Sequence, residues 1–549
     1  MKMTKTKHTP LALLLACCTA AALTACTLDE HPHDQIDEES IYGTPEVLYR
    51  NSVASLYNYI GGNTDGQGLQ GTCRGVYDLQ TFASDEAMLP TRGGDWYDGG
   101  IWHQLYLHSW DSGHEIFKNS WLYLYKVIAL CNHSLDVIST YGSVLTEADY
   151  KAYRAEVRAL RAIYYWYLLD LFGRVPIITS TDLSMNVVKQ SERSEVFRFC
   201  ISELTEVLGD LSPACSQKAG DYYARVTRPV ACFVLAKLYL NAEVYTDDDW
   251  TDGVRPHGED MAFAIGKASM NAWEAAICYC TMLSVMGYSL EADYSTNFSV
   301  RNEASGENIW IVPMDKDLYS NQQQNMFRSY HYRHAAAYGF DGENGACATQ
   351  RVLDIFGYGT EEEDRRFRLC YWADWVLDLN DAPVKDRMGQ PLIYYPREAI
   401  LQLSASPYVE TAGARMKKYA IDKNATKGGK LMDNDIVLFR YADVLLMRAE
   451  ALLRNGQDGQ GDFVKVRRRV GMPDRELTLD NLLDERLLEL CWEGWRRQDL
   501  VRFGKYKSAF SPADGYFKTP DESDGHTTVF PIPGDILKLN PNLTQNPGY

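Results

Sequence analysis

The chain has 549 residues, 46% hydrophobic and 23% charged, a globular composition that excludes collagen, small disulfide scaffolds and wholesale disorder. Asp and Glu number 74 against 55 Lys and Arg, a formal charge of −19, which argues against tracking nucleic-acid phosphates or an anionic membrane surface. The 36 Tyr, 12 Trp and 18 Phe suit surfaces that recognise partly polar ligands, although helix packing uses the same rings.

Lys2, Lys5 and Lys7 precede a 13-residue uncharged run, Leu11 to Leu23, shorter than the roughly 20 residues that span a bilayer. This is the pattern of a signal peptide over residues 1–25. The run closes on Leu23-Thr24-Ala25-Cys26, which resembles a bacterial lipobox, so Cys26 is the expected lipidated N-terminus; the alternative is ordinary cleavage beside a bystander thiol. Cleavage there removes three Lys and no acid, leaving a charge of −22, so a lipid anchor rather than basicity would hold the chain to a membrane. The ten cysteines beyond Cys26 are scattered, many in apolar helical runs, and read as small core residues; Cys278 and Cys280 lack zinc spacing.

Helical periodicity dominates the rest of the chain. From Trp121, the residues Leu122, Tyr125, Ile128, Ala129 and Asn132 recur at three- and four-residue steps, with Asn132 placed to tether a neighbouring backbone. A second helix starts at Thr146-Glu147 and stops at Gly173 and Pro176. Further helices are expected over 194–208, from Thr227-Arg228-Pro229 through Tyr239, from Trp273 to Leu283, over 435–453 and over 478–492. Long irregular stretches rich in Gly, Asp, Asn, Tyr and Trp lie at about 61–115, 243–270, 292–345 and 372–430; such loops are commonly functional. The fold expected is mostly α, a tetratricopeptide-like helical superhelix with long ligand-binding loops and little β, divided into 45–270 and 271–549 after a tether over 26–44.

Four segments together resemble the SusD/RagB family of outer-membrane nutrient-binding lipoproteins. They are Glu156-Val157-Arg158-Ala159-Leu160-Arg161-Ala162 with Leu171-Phe172-Gly173-Arg174-Val175-Pro176; Arg440-Tyr441-Ala442-Asp443-Val444-Leu445-Leu446 with Ala449-Glu450; Glu485-Arg486 through Glu489, Glu493-Gly494 and Arg496 to Asp499-Leu500 and Arg502; and the tail Phe530-Pro531-Ile532-Pro533 with Gln545-Asn546-Pro547-Gly548-Tyr549. Trp495 stands where the family often has His. The resemblance implies a superhelix with a loop-rich ligand face, seated on a SusC-like TonB-dependent β-barrel transporter at the outer membrane and facing the cell exterior, with a glycan as ligand. Its alternative is a structural lid on a transporter for a non-sugar such as peptide.

No residue set reads as catalytic, and no cofactor or metal is expected. Glu485, Glu489 and Glu493 fall at four-residue steps but are interleaved with Arg486, Arg496 and Arg497, which fits ion-paired packing better than two glycosidase carboxyls across a cleft. Gly66-x-Gly68-x-x-Gly71 lacks the following helix of a dinucleotide site and reads as a flexible loop. Asp248-x-Trp250-x-Asp252-Gly253 with Glu259 is spaced like a calcium loop, but Trp cannot ligate the ion.

A pyranose offers an apolar C–H face and a rim of hydroxyls, so its receptor pairs aromatic platforms with polar side chains. Two loops have that mixture. In the first, Arg92, Asp95, Trp96 and Tyr97 stand among glycines, and the resemblance makes Trp96 the leading platform, with a plug between loop and scaffold as its other reading. In the second, Phe327, Tyr330, Tyr332 and Arg333 alternate with amides and run on to Tyr338, Phe340, Asp341 and Asn344; Tyr330 and Tyr332 share a strand face and either line a groove or pack inward. Trp102, Trp110, Trp121 and Trp310 follow buried rhythms and belong to the core.

Overall fold

The computed structural model describes residues 41–63, 66–183, 187–506 and 524–549. The signal peptide, Cys26 and most of the tether lie outside the described residues. The first pair is α1 (Glu115–Tyr141) and α2 (Glu147–Phe172). Thr146 caps α2 by accepting from the Asp149 N–H at 3.1 Å, and Gly173, at φ +63°, turns the chain out of it. Asn132 does tether a neighbour: its Nδ2 donates to the Ile178 carbonyl at 2.9 Å while its Oδ1 accepts from Arg161. Next come α3 (Arg193–Val207) and α4 (Arg228–Leu240), then α5 (Ala272–Ser284), which opens on the Asn271/Glu274 capping box. The C-terminal helices are α6 (Tyr441–Arg454), α7 (Gln460–Arg469), α8 (Leu479–Leu490) and α9 (Arg496–Arg502). Helix α1 packs on α2, α2 on α3, α4 on α5, α5 on α6, and α6 on α7 and α8. The architecture is the helical superhelix, about 47% helix and 9% strand, with small antiparallel sheets. No helix among the described residues is long and apolar enough to cross a membrane.

One core cluster runs from Val53 to Ile532. Its middle is aromatic: Phe233 stacks on Phe439 with centroids 4.3 Å apart, and Trp310 is fully buried with its Nε1 donating to the Ala224 carbonyl at 3.0 Å. Trp102, Trp110 and Trp121 are buried as expected. Seven of the ten described cysteines are buried, and none of the ten forms a disulfide.

Three expectations need correction. The helix expected from Asp435 starts at Tyr441, because Ile436–Arg440 is strand β2, paired antiparallel with β1 (Asn308–Val312); its buried run Ile-Val-Leu-Phe is apolar on both faces, so periodicity alone does not separate it from the helix after it. The Gly66–Gly71 segment is packed, not flexible: a Cβ on Gly68 would stand 2.4 Å from the Gly62 nitrogen, and one on Gly71, at φ +88°, 2.4 Å from the Gln322 carbonyl oxygen. Helix α8 ends at Leu490, so Glu493 lies in the turn beyond it.

Glu493 nevertheless reaches the same ionic centre as Glu485 and Glu489. Arg366 donates to Glu485 at 2.7 Å and Glu489 at 2.9 Å; Arg440, delivered by β2, meets Glu307, Glu489 and Glu493 at 2.8, 2.5 and 2.8 Å. Arg467 and Arg469 close on Glu485 and Glu489, and Lys418 on Glu493 at 2.5 Å. All three carboxylates are buried. They are cross-links between helices and loops, saturated by cations, with no oxygen facing a cleft.

Candidate functional site

The first loop is a tight turn held by its own backbone. Arg92 and Asp95 exchange N–H···O bonds at 3.0 and 3.1 Å, with Gly93 at φ +66° between them and open space beside Gly93 and Gly94. Trp96 follows at φ +63° and Asp98 at φ +44°, uncommon for residues with a Cβ, and side-chain anchors hold both there. The Trp96 Nε1 donates to the Glu343 carbonyl at 2.8 Å, and its indole lies across the Gly345 backbone. Asp98 accepts from the Trp102 Nε1 at 2.8 Å and from Arg74 at 3.0 Å. Between these anchors Asp95 and Tyr97 project outward, Tyr97 being 56% exposed.

The second segment folds into two short helices, Asn325–Ser329 and Tyr332–Ala337, rather than a strand. That change of geometry decides which side chains face out. Phe327 and Tyr330, both expected to contact ligand, are fully buried: Phe327 packs against Phe340 and Gly429, and Tyr330 stacks on His334 while its hydroxyl accepts from the Trp372 Nε1. They belong to the core. Arg92 is corrected likewise. Its guanidinium is buried and its nitrogens donate to the carbonyls of Gly345, Val409 and Ala412 at 3.2, 3.0 and 2.9 Å. Burial and, after it, the nearby Arg415 bring its pKa down to about 9. Tyr338, Phe340 and Asn344 are buried as well.

Tyr332 and Arg333 remain at the surface, and there the two loops meet. The Tyr332 hydroxyl donates to Asp95 at 2.6 Å; partial burial and then this carboxylate push the phenol up to about 12. His331 fixes the helix start: its Nδ1 accepts from the Arg333 N–H at 3.0 Å, which leaves Nε2 to donate to Glu410 at 3.1 Å. The structure therefore joins Asp95 to Tyr332, with Trp96 and Tyr97 following Asp95 in the chain and Arg333 exposed beside Tyr332, and it buries Arg92, Phe327 and Tyr330.

A third loop, from the irregular stretch expected over about 372–430 but with no contact residue singled out there, joins the site. Thr91 and residues 401–403 exchange backbone bonds at 2.9 Å, Ser404 donates to the Gly93 carbonyl at 3.2 Å, and Arg92 ties down Val409 and Ala412. This loop carries Tyr395, 38% exposed, with its ring 4.7 Å from that of Tyr408, and Arg387 lies 3.4 Å from Glu410. Only the aromatic pair Tyr394-Tyr395 and the Tyr408 beside Pro407 hint at it in the sequence.

The seat of the Trp96 indole gives a direct test. A Cβ on Gly345 would stand 2.6 Å from Trp96 Cε2, so Gly345→Val must eject the ring. The expected result is a red shift of tryptophan emission with the far-ultraviolet helix signal unchanged.

Profiles of known families match both halves of the chain: one described as SusD family over residues 306–549, and one described as starch-binding, associating with the outer membrane, over residues 76–240. The chain is similar to the starch-binding protein SusD of Bacteroides thetaiotaomicron, 26% identical over 88% of this chain and 87% of that one. It is 32% identical to a SusD-like protein of Formosa agariphila over 72% of this chain and 74% of the relative. Among solved structures it is similar to a laminarin-binding SusD-like protein, with TM-score 0.68 and 21% identity over 92% of this chain and 100% of that one. A surface glycan-binding protein A from Bacteroides thetaiotaomicron, in complex with laminarihexaose, superposes with TM-score 0.68 at 19% identity over 92% of this chain and 99% of the other.

Proposed function

The chain belongs to the SusD family, and from that premise we propose that it is a non-catalytic glycan-binding lipoprotein of the outer membrane. It captures an oligo- or polysaccharide at the cell exterior and delivers it to a SusC-like TonB-dependent β-barrel transporter, with Cys26 as its lipid anchor. The observation that carries the reading is the junction of the two loops: the 2.6 Å Tyr332–Asp95 bond ties the turn that carries a half-buried Trp96 and an exposed Tyr97 to the helix start that carries Tyr332 and an exposed Arg333. Rings supply faces for C–H groups, and the carboxylate, phenol and guanidinium supply partners for hydroxyls. The names of the relatives agree, one starch-binding and another laminarin-binding.

Affinity electrophoresis of the soluble chain, begun after Cys26, against plant, host and microbial polysaccharides tests the reading. Retardation by one glycan class with no release of reducing sugar supports it, and migration unaltered by every glycan contradicts it. Tyr332→Phe is expected to weaken binding several-fold, because it removes the bond that joins the loops while leaving the ring in place.

A further inference from the structure

The loop spaced like a calcium site does something else. Its Asp248 accepts from the Ser194 N–H and hydroxyl at 2.7 and 2.8 Å and so caps α3. What the loop encloses is a cavity of about 400 Å³ whose wall holds Arg193, Trp250 and Arg255 together with the carboxylates of Asp247, Asp252 and Asp524, each of which accepts from a nearby backbone N–H, at Asp249, Val254 and His526.

Two buried donors in that lining have no acceptor. Arg193, at the first position of α3, is 1% exposed, and among the described residues it makes no hydrogen bond or ion pair. Its guanidinium sits 5.6 Å from the Tyr245 ring and 5.4 Å from the Trp250 ring, so its flat faces are covered while its N–H edges are not. Trp250 is 8% exposed, and its Nε1 is likewise without a partner. Arg255 adds a second guanidinium to the wall, spending its nitrogens on the carbonyls of Val501 and Arg502 at 3.1 Å. Burial brings the Arg193 pKa down to about 10; Tyr245, Asp170 and Asp247 act against that fall, and Arg255 adds to it. The group is still a cation at neutral pH. The Arg193 Nε and the Trp250 Nε1 are buried donors without a protein acceptor, an arrangement that is costly unless an acceptor occupies the cavity. No trio of His, Cys, Asp or Glu able to hold a metal ion occurs among the described residues.

We propose that this cavity binds an oxyanion group, a carboxylate, sulfate or phosphate, held by the Arg193 guanidinium and the Trp250 Nε1 with Arg255 alongside. The group is either a free small anion or the charged substituent of a sugar. The assignment stands apart from the aromatic site and holds whether or not that site takes a glycan.

Calorimetry and thermal melts of the folded chain with sodium sulfate, sodium phosphate, and galacturonate beside galactose, all at ionic strength matched by sodium chloride, test it. The expected result is a saturable heat and a rise in melting temperature with oxyanions, abolished in Arg193→Met and weakened about tenfold in Trp250→Phe, which keeps a ring and removes only the donor. A response to galacturonate and not galactose identifies the sugar-borne source, and a response confined to sulfate and phosphate identifies the free ion. No response beyond ionic strength, or a response of Arg193→Met equal to that of the wild type, overturns the proposal. Should Arg193→Met not fold, wild-type crystals grown with selenate decide: an anomalous peak within hydrogen-bond distance of Arg193 sustains the site, and a peak elsewhere or none removes it.

Discussion

Replacing Glu489 by Gln is expected to cost about 3–5 kcal/mol of stability, the usual penalty for breaking a buried ion pair from one side. The carboxylate is fully buried and shared by Arg366, Arg440 and Arg469. Burial works to raise its pKa, but the Arg469, Arg440 and Arg366 guanidiniums outweigh burial and hold it well below the usual carboxylate range. Because the folded-state pKa lies below the unfolded one, this contribution is complete above the unfolded value of about 4.3 and is lost as pH falls toward the folded one. Urea unfolding of wild type and Glu489→Gln at pH 7 and through the acid range is the measurement. The expected outcome is a large gap at neutral pH that narrows as the acid limb is reached. A loss under about 1 kcal/mol at pH 7 would contradict the cross-linking role and reopen a chemical one for the motif.

Tyr97→Ala is expected to lower affinity for the bound glycan about tenfold without moving the melting temperature. Removing one stacking ring takes away roughly 1–2 kcal/mol, and about 1.4 kcal/mol is a tenfold change. The ring is 56% exposed and carries no core contact that its loss would break. Trp96→Ala is expected to abolish measurable binding and also to lower stability, since the indole both presents a face and pins the turn to Glu343 and Gly345. Calorimetry on the two variants separates these roles: contact alone for Tyr97, contact plus loop anchoring for Trp96. Equal affinity of Tyr97→Ala and wild type would move the ligand off this face.

Much of this arrangement is legible in the sequence because it is local. Thr146, Gly173 and Thr478 start and stop helices by bonds within four residues, and Asn132 stands out as polar on a packed stripe. The alternation of Glu485, Arg486, Glu489 and Arg496 already points to ion pairs. The strand Ile436–Arg440 is hidden because a short run buried on both faces carries no period, and its partner lies more than a hundred residues earlier. Tyr330 and Tyr332 read as one strand face; with Tyr330 just past the end of one short helix and Tyr332 opening the next, they point to core and surface respectively. Arg92 resembles a ligand-binding residue by type, and only the carbonyls of Gly345, Val409 and Ala412, all more than 250 residues away, reveal it as a brace. Tyr395 and Tyr408 are illegible for the same reason, since that brace is what carries their loop to the site.

The central claim is that the junction of the two loops holds a glycan, and it is tested most directly by titrating wild type and the Tyr97→Ala, Tyr332→Phe pair with oligosaccharides from whichever polysaccharide retards the wild-type chain. Graded losses, larger for Tyr97→Ala than for Tyr332→Phe, with unchanged melting curves and no hydrolysis of the oligosaccharide, are the result expected. Wild-type affinity in both variants, or cleavage of the sugar by the wild-type chain, would contradict it.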